Sequence, residues 1–506
     1  MFEPRSSIRE RLMPVPASPA GYSGLIEALD LPLPLPRRLT CVSPRHQRMK
    51  ENNVSIVPRS NWPGDTVVDH LVFALRYEGV NLLVLKKVFT QIDTHDLCRY
   101  ITSTPTGQYA RRLWFLYEFL IGEHLPIPDA GTMNTVPVLD SNLHLTPDRG
   151  AISLRHRVID NLPGSVDFCP IIYRTTRIEH FLDLDLAAQT RDLVETTPPE
   201  VLHRAAAFMM LADSKASFEI EGEVSSRDRM HRWAKIIGEA GIGALDDSRL
   251  LDLQKIVIPD SRFTKLGYRE EGGFVGRHAT DGSPRPEHIS ARHDDLASLM
   301  RGIHAFAQKT KERALDPIVD AACQSFGFVY IHPFEDGNGR IHRFIMHHVL
   351  ADRGFTPPGI VFPISAVIME RIIEYRDVLR TVSDAILPFI DYAVTAQNNI
   401  RVTSNSIDFY RYFDATPHAE FLFECVRHIL DEELPEELVF LQHRDAFHRA
   451  LAEMVDMPER MIDLMIRFLR QGHGALSKRA REKEFAELTD REAQDIEAAY
   501  DRIFRS

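Results

Sequence analysis

The sequence predicts a mainly α-helical protein with one β-hairpin set into it and a winged-helix-like module at the C-terminal end. Three observations carry that expectation. Apolar residues recur at spacings of three and four through most of the 506 residues, the period of helices with one buried face. The stretch LGYREEGGFVGRHATDGSPRPEHI, 266–289, instead combines paired glycines, short apolar pieces and a central DGSP turn, which is a hairpin pattern. Glycine is scarce between 356 and 471, so no strand-rich domain is expected there.

A chain of this length exceeds a single typical core. Residues 1–60 are rich in proline and arginine, with LPLPLPRR at 31–38, and read as an extended or poorly ordered arm. Residues 61–195 form a mostly helical region. VVDHLVFALRYEGVNLLVLKKVF is helical with a break at Gly79, and QYARRLWFLYEFLIG ends near Gly122. From 123 to 195 the pattern is mixed. A core follows over 196–370, with helices through HRAAAFMMLADSKASFEIEGE, RMHRWAKIIGEA, DDLASLMRGIHAFAQKT, PIVDAACQSFGFVYI and HRFIMHHVLADRG. A helical connector spans 371–414 and the C-terminal module 415–506.

Composition narrows the class. Apolar residues make up 44% and charged residues 26%, ordinary for a soluble globular protein. A net charge of -12 argues against a protein that coats nucleic acid. The five cysteines are scattered and form no CxxC pair, which fits a reducing compartment rather than a zinc site or disulfide framework. The N-terminus has mixed charge and early proline, with no apolar run of the kind that opens a secretory signal. AAAFMMLA at 205–212 is too short to span a membrane. The expected setting is cytoplasmic, without a membrane partner.

One loop concentrates chemistry. HPFEDGNGRIHR, 332–343, lies between two apolar helices. Pro333 stops the helix before it. Gly337, Asn338 and Gly339 permit a tight, left-handed backbone whose amides converge on an anion. The helix that follows adds its free N–H groups, and Arg340 and Arg343 lie three apart on it. Asp336 is an acid suited to a divalent ion bridging phosphates, and magnesium is the expected metal. His332, if neutral, can take a proton from an incoming hydroxyl. The residues alone leave two readings open, a nucleotide site and a rigid structural turn.

The same twelve residues resemble the signature of the Fic family, with three free positions: histidine, proline, phenylalanine, any, acid, GNGR, any two, arginine. The wider CQSFGFVYIHPFEDGNGRIHRF is also similar to that family. The resemblance implies a Fic-type helical core and transfer of AMP from ATP to a protein hydroxyl. On this chain it makes His332 the base that deprotonates a serine, threonine or tyrosine. Asp336 would bind Mg2+. Gly337, Asn338, Gly339 and Arg340 would hold the α- and β-phosphates, Arg343 would reach the γ-phosphate, and Phe334 would anchor the loop.

Two further stretches resemble family elements. SFEIEG, 217–222, is similar to an inhibitory motif in which Glu221 pairs with Arg343 and Ser217 fixes the helix. A carboxylate on an arginine's anion site competes with phosphate in charge and in space. The hairpin, roughly 272–288, is similar to the flap that registers a target segment by strand addition, with Phe274, Val275 and Gly276 as target-positioning residues. Gly267 and Arg269 look like a lead-in to it, one residue off the family's spacing.

The partner implied is a protein with an exposed hydroxyl-bearing segment, this chain itself included. In the C-terminal module, SKRAREKEF resembles the basic part of a winged-helix or helix-turn-helix unit. Neighbouring acids dilute its charge, so packing or a homodimer is preferred there to nucleic acid. The alternatives are removal of AMP, transfer of another phosphate-containing group, and a non-enzymatic, nucleotide-sensing DNA-binding regulator. An intact His332 argues against the last.

Overall fold

The computed structural model describes residues 3–9, 11–45, 48–51, 53–258, 262–357 and 359–505. It is mainly helical, with small sheets at the periphery. The predicted helices form. Val67–Tyr77 and Leu82–Phe89 are separated at Gly79, whose φ of 86° suits glycine, and Gln108–Ile121 ends on left-handed Gly122. No described helix is long and apolar enough to cross a membrane.

The first 60 residues depart from expectation. They are not a draped arm. Arg5–Ile8, Arg11–Pro19, Leu39–Ser43, Val54–Pro58 and Met49–Glu51 make a five-stranded sheet in that spatial order. Leu39–Ser43 is wholly buried and pairs in parallel with Val54–Pro58. The prolines misled because Pro14 and Pro16 lie beyond the short pairing of Ser18 and Pro19 with the Leu39–Ser43 strand. There a missing N–H costs no bond on that side. Buried Glu78 ties this sheet to the helices, accepting from Tyr22 N at 2.8 Å and Thr40 N at 2.7 Å. Burial raises its pKa to about 8 against those bonds.

The core of the molecule is one hydrophobic cluster running from Tyr22 to Leu441. At its centre Pro317–Ile331 and Asn338–Asp352 pack antiparallel about the polar loop, and Leu296–Arg313 and Thr416–His428 flank them. The Pro199–Ile220 helix is pinned to this centre by a buried acid. Asp213 accepts from Ser365 N at 2.5 Å, from Ser365 Oγ at 2.9 Å, and lies 3.0 Å from His347 Nε2. That fixes the height at which the next turns, carrying Ser217 and Glu221, meet the loop.

The 266–289 segment forms the expected hairpin, Phe274–His278 paired with Pro284–Ile289. A second hairpin, Tyr392–Val394 with Ile400–Val402, lies in the connector expected to be helical. At the C-terminus, Leu434–Ala452, Glu459–Gln471, Lys478–Lys483 and Asp490–Phe504 surround their own small core. No strand occurs among the described residues there, so the wing of a winged helix is not formed. The basic stretch is instead a short capped helix whose Arg481 pairs with Asp490 at 2.6 Å.

Candidate active site

The polar loop is built by the helices on either side of it. Pro317–Ile331 ends at His332, which takes a left-handed conformation (φ 53°) before Pro333. Asn338 then closes the loop from inside. Its Oδ1 accepts from Phe334 N at 3.0 Å and its Nδ2 donates to Phe334 O at 2.8 Å. Phe334 is 1% exposed, stacked on Tyr268 and edge-on to Phe328. Gly337, at φ 94°, opens the Asn338–Asp352 helix, and a Cβ on it would lie 2.8 Å from Val257. Only glycine meets both constraints. Asn338→Ala is expected to cost the loop about 2–3 kcal/mol, since two buried backbone groups lose their partner. The check is amide exchange at Phe334, expected to quicken roughly 30- to 150-fold.

His332 holds its tautomer through one bond. Its Nδ1 lies 3.2 Å from Val329 O, an acceptor only, so Nδ1 carries the hydrogen and Nε2 is left with a lone pair. Burial and the nearby Arg269 charge lower its pKa to about 4, although the Val329 bond and Glu221 pull the other way. The ring is therefore neutral near pH 7.

Arg269, only weakly marked in the sequence, is the brace of this corner. Buried at 5% exposure, it donates to His332 O at 2.8 Å, Glu271 O at 2.7 Å and Ala291 O. Its own amide donates to Pro333 O at 2.9 Å. Burial lowers its pKa to about 10, still fully charged at neutrality. One guanidinium thus joins the histidine, the loop and the base of the hairpin. Nearby, Gln254 Oε1 accepts from Gly267 N and Glu335 Oε2 accepts from Lys265 N.

The structure brings Glu221 to the loop, 122 residues before Arg343 in sequence. Arg343 is 1% exposed. Its Nη2 donates to Glu221 Oε1 at 2.8 Å and to Ser217 O at 2.8 Å, and its Nε to Ser217 Oγ at 3.1 Å. Burial pushes the Glu221 carboxyl upward, but Arg343, then Arg340 and His332, outweigh it and leave it below the usual carboxylate range. Its Oε1 sits over Gly339 so closely that a Cβ there would be 2.1 Å away. Glu221 therefore lies on the GNG turn as well as on the arginine. Asp336 points outward with its side chain 54% exposed, and its Oδ1 accepts from Gly337 N at 2.5 Å.

The hairpin stands beside this loop. Val275 is 45% exposed and Phe274 packs edge-on against His278. At Gly276 a Cβ would lie 2.3 Å from Arg285 O, so the two strands approach there as only glycine allows. Among the described residues the Phe274–His278 strand pairs with one neighbour, leaving its second edge without a strand. The second hairpin supports it: Asn399 Nδ2 donates to Gly272 O at 2.9 Å, and His278 Nε2 to Asn398 O at 2.9 Å. Nothing local in the 392–402 sequence announced that contact.

Part of this chain is similar in sequence to known proteins. Residues 244–350 match the Fic/DOC family. A protein named protein adenylyltransferase Fic from Nematostella vectensis is 32% identical over 167 residues, 33% of this chain and 34% of that one. One of the same name from Drosophila grimshawi is 27% identical over 233 residues, 45% and 42% of the two chains. This chain thus spans roughly a third to two-fifths of the length of these relatives. A Fic family protein from Desulfovibrio desulfuricans G20 aligns over 61% of this chain and 86% of its own, at 21% identity and a TM-score of 0.37. The hairpin, the Pro317–Ile331 helix and the loop fall inside the residues that match the Fic/DOC family, and the Asn338–Asp352 helix runs just past their end.

Proposed function

We propose that this protein transfers AMP from ATP to a serine, threonine or tyrosine hydroxyl of a protein, and that Glu221 holds it off in the conformation described. The observation that supports this best is Glu221 seated 2.8 Å from buried Arg343, beside a histidine kept neutral. A site built only as a rigid turn has no need of a buried arginine whose Nη1 has no close hydrogen-bond acceptor among the described residues.

In this reading the GNG amides and the helix N-terminus hold the α- and β-phosphates, and Arg343 takes the γ-phosphate once Glu221 has left. The target oxygen attacks the α-phosphorus. Its proton passes to His332 Nε2, and the bond from the α-phosphorus to the bridging oxygen breaks, releasing pyrophosphate. Asp336, exposed at the loop, would hold Mg2+, and the ion would supply charge neutralisation there. The free edge of the Phe274–His278 strand would pair with an extended target segment, with Val275 against its side chains. Five unpaired cysteines, four of them buried, fit a reducing, cytoplasmic setting.

Two measurements bear on this reading. ATP labelled at the α-phosphate is expected to leave covalent label on protein, and ATP labelled at the γ-phosphate is not. Label from the γ position would make the protein a kinase instead. The pH profile follows from His332. A base with a pKa of about 4 is lost only as pH falls through that value, so the rate is expected to be flat between pH 5 and 7. An ordinary histidine would slow it about 25-fold over the same range.

A further inference from the structure

Glu221 is not the only carboxylate that the turn after the Pro199–Ile220 helix aims at the loop. Glu223 Oε1 lies 2.9 Å from Arg340 Nη2, and its Oε2 accepts from Arg340 Nη1 at 3.2 Å. Arg340 is 1% exposed, and Val257 O takes a further bond from Nη1 at 3.1 Å. Glu223 also has a second cation. Arg229, on the Arg227–Ile237 helix, donates to Oε2 at 3.1 Å and to the same Val257 O at 3.1 Å. The two guanidiniums share the Phe218 ring, 4.9 Å away for Arg229 and 5.4 Å for Arg340. Two buried or half-buried cations thus compete for one carboxylate beside the phosphate loop.

Resting on the reading of that loop as a nucleotide site, we propose that Glu223 is a second gate, which withholds Arg340 from the nucleotide's phosphates, and that Arg229 receives Glu223 when the nucleotide binds. A phosphate can use the terminal nitrogens of Arg340 only by displacing the carboxylate that occupies both. Displacement would leave a partly buried anion unpaired, a costly state. Arg229 removes that cost, because it already holds the same oxygen. The two gates open together. Glu221 N and Glu223 N both donate to Phe218 O at 3.1 Å, so one short turn carries both acids. Its displacement frees Arg343 and Arg340 in a single movement.

Opposite signs at one contact make the test. ATP affinity is measured by calorimetry on the full chain, with ATP and magnesium as the probe. Glu223→Gln keeps the shape and removes the charge, and is expected to tighten ATP about tenfold. Glu223→Ala, carried alongside, should tighten it at least as much. Arg229→Gln takes away the alternative partner, so Glu223 holds Arg340 more firmly and ATP is expected to weaken about threefold. If Glu223 and Arg229 merely stiffened this corner, loosening it from either side would move affinity in the same direction. Shifts of one sign, or no change in the Glu223 variants, overturn the proposal. Failure of the adenylyl-transfer reading looks different: the opposite shifts in affinity persist while no variant leaves α-label on protein.

Discussion

Replacing Glu221 by glycine is expected to raise ATP-dependent labelling of protein roughly 30- to 150-fold over the wild type, the equivalent of ~2–3 kcal/mol. The bond removed is charge-assisted and set on an arginine that is 1% exposed, the circumstance in which such bonds weigh most. The gain has a second source. Glu221 Oε1 also covers Gly339, in the turn whose amides we propose to face phosphate. Arg343 does not become an orphan in the variant, because Ser217 O and Oγ still accept from it. Nor is the backbone strained, since Glu221 follows the helix at φ -81°. The fold should therefore survive the change, and labelling of the purified variant against the wild type is the check.

Removing the base should undo that gain. His332→Ala in the Glu221→Gly background is expected to lower labelling about 10²- to 10⁴-fold, the usual worth of a positioned general base. ATP affinity should change little, because the groups assigned to phosphate are the GNG amides, Arg340 and Arg343 rather than His332. One structural point guards the interpretation. His332 sits at φ 53°, where alanine is strained. Asparagine tolerates that conformation better, so His332→Asn should show the same loss without it. A loss in the alanine variant alone would mark strain rather than proton transfer.

The loop was legible because its chemistry is local. Twelve consecutive residues fix the turn, the helix start and both arginines, and the motif carries them with it. Glu221 was legible only through the resemblance of SFEIEG, 217–222, to the family's inhibitory motif. Glu223 and Arg229 were not, since their meaning lies in a corner formed by three separated segments: the turn after 220, the Arg227–Ile237 helix and Val257 O. Arg269 was half visible. Its spacing suggested a role, but its bonds to His332 O and Ala291 O depend on tertiary closure. The N-terminal sheet was hidden by prolines, of which Pro14 and Pro16 lie beyond the pairing with Leu39–Ser43 and Pro32, Pro34 and Pro36 fall between strands. Proline content reports a missing donor, not whether that donor was needed. In the C-terminal module the basic stretch resembled part of a winged-helix or helix-turn-helix unit; Lys478–Lys483 is a short helix capped by Ser477, and no strand accompanies it among the described residues.

The most direct measurement compares two proteins, Glu221→Gly and Glu221→Gly/His332→Asn, each incubated with ATP labelled at the α-phosphate and with magnesium in a cell lysate. Mass spectrometry then identifies the modified side chains. The expected result is AMP on serine, threonine or tyrosine in the first sample and its near absence in the second, with equal ATP binding in both. Equal labelling in the two samples, or none in either while both bind ATP, would contradict adenylyl transfer by His332 under the restraint of Glu221.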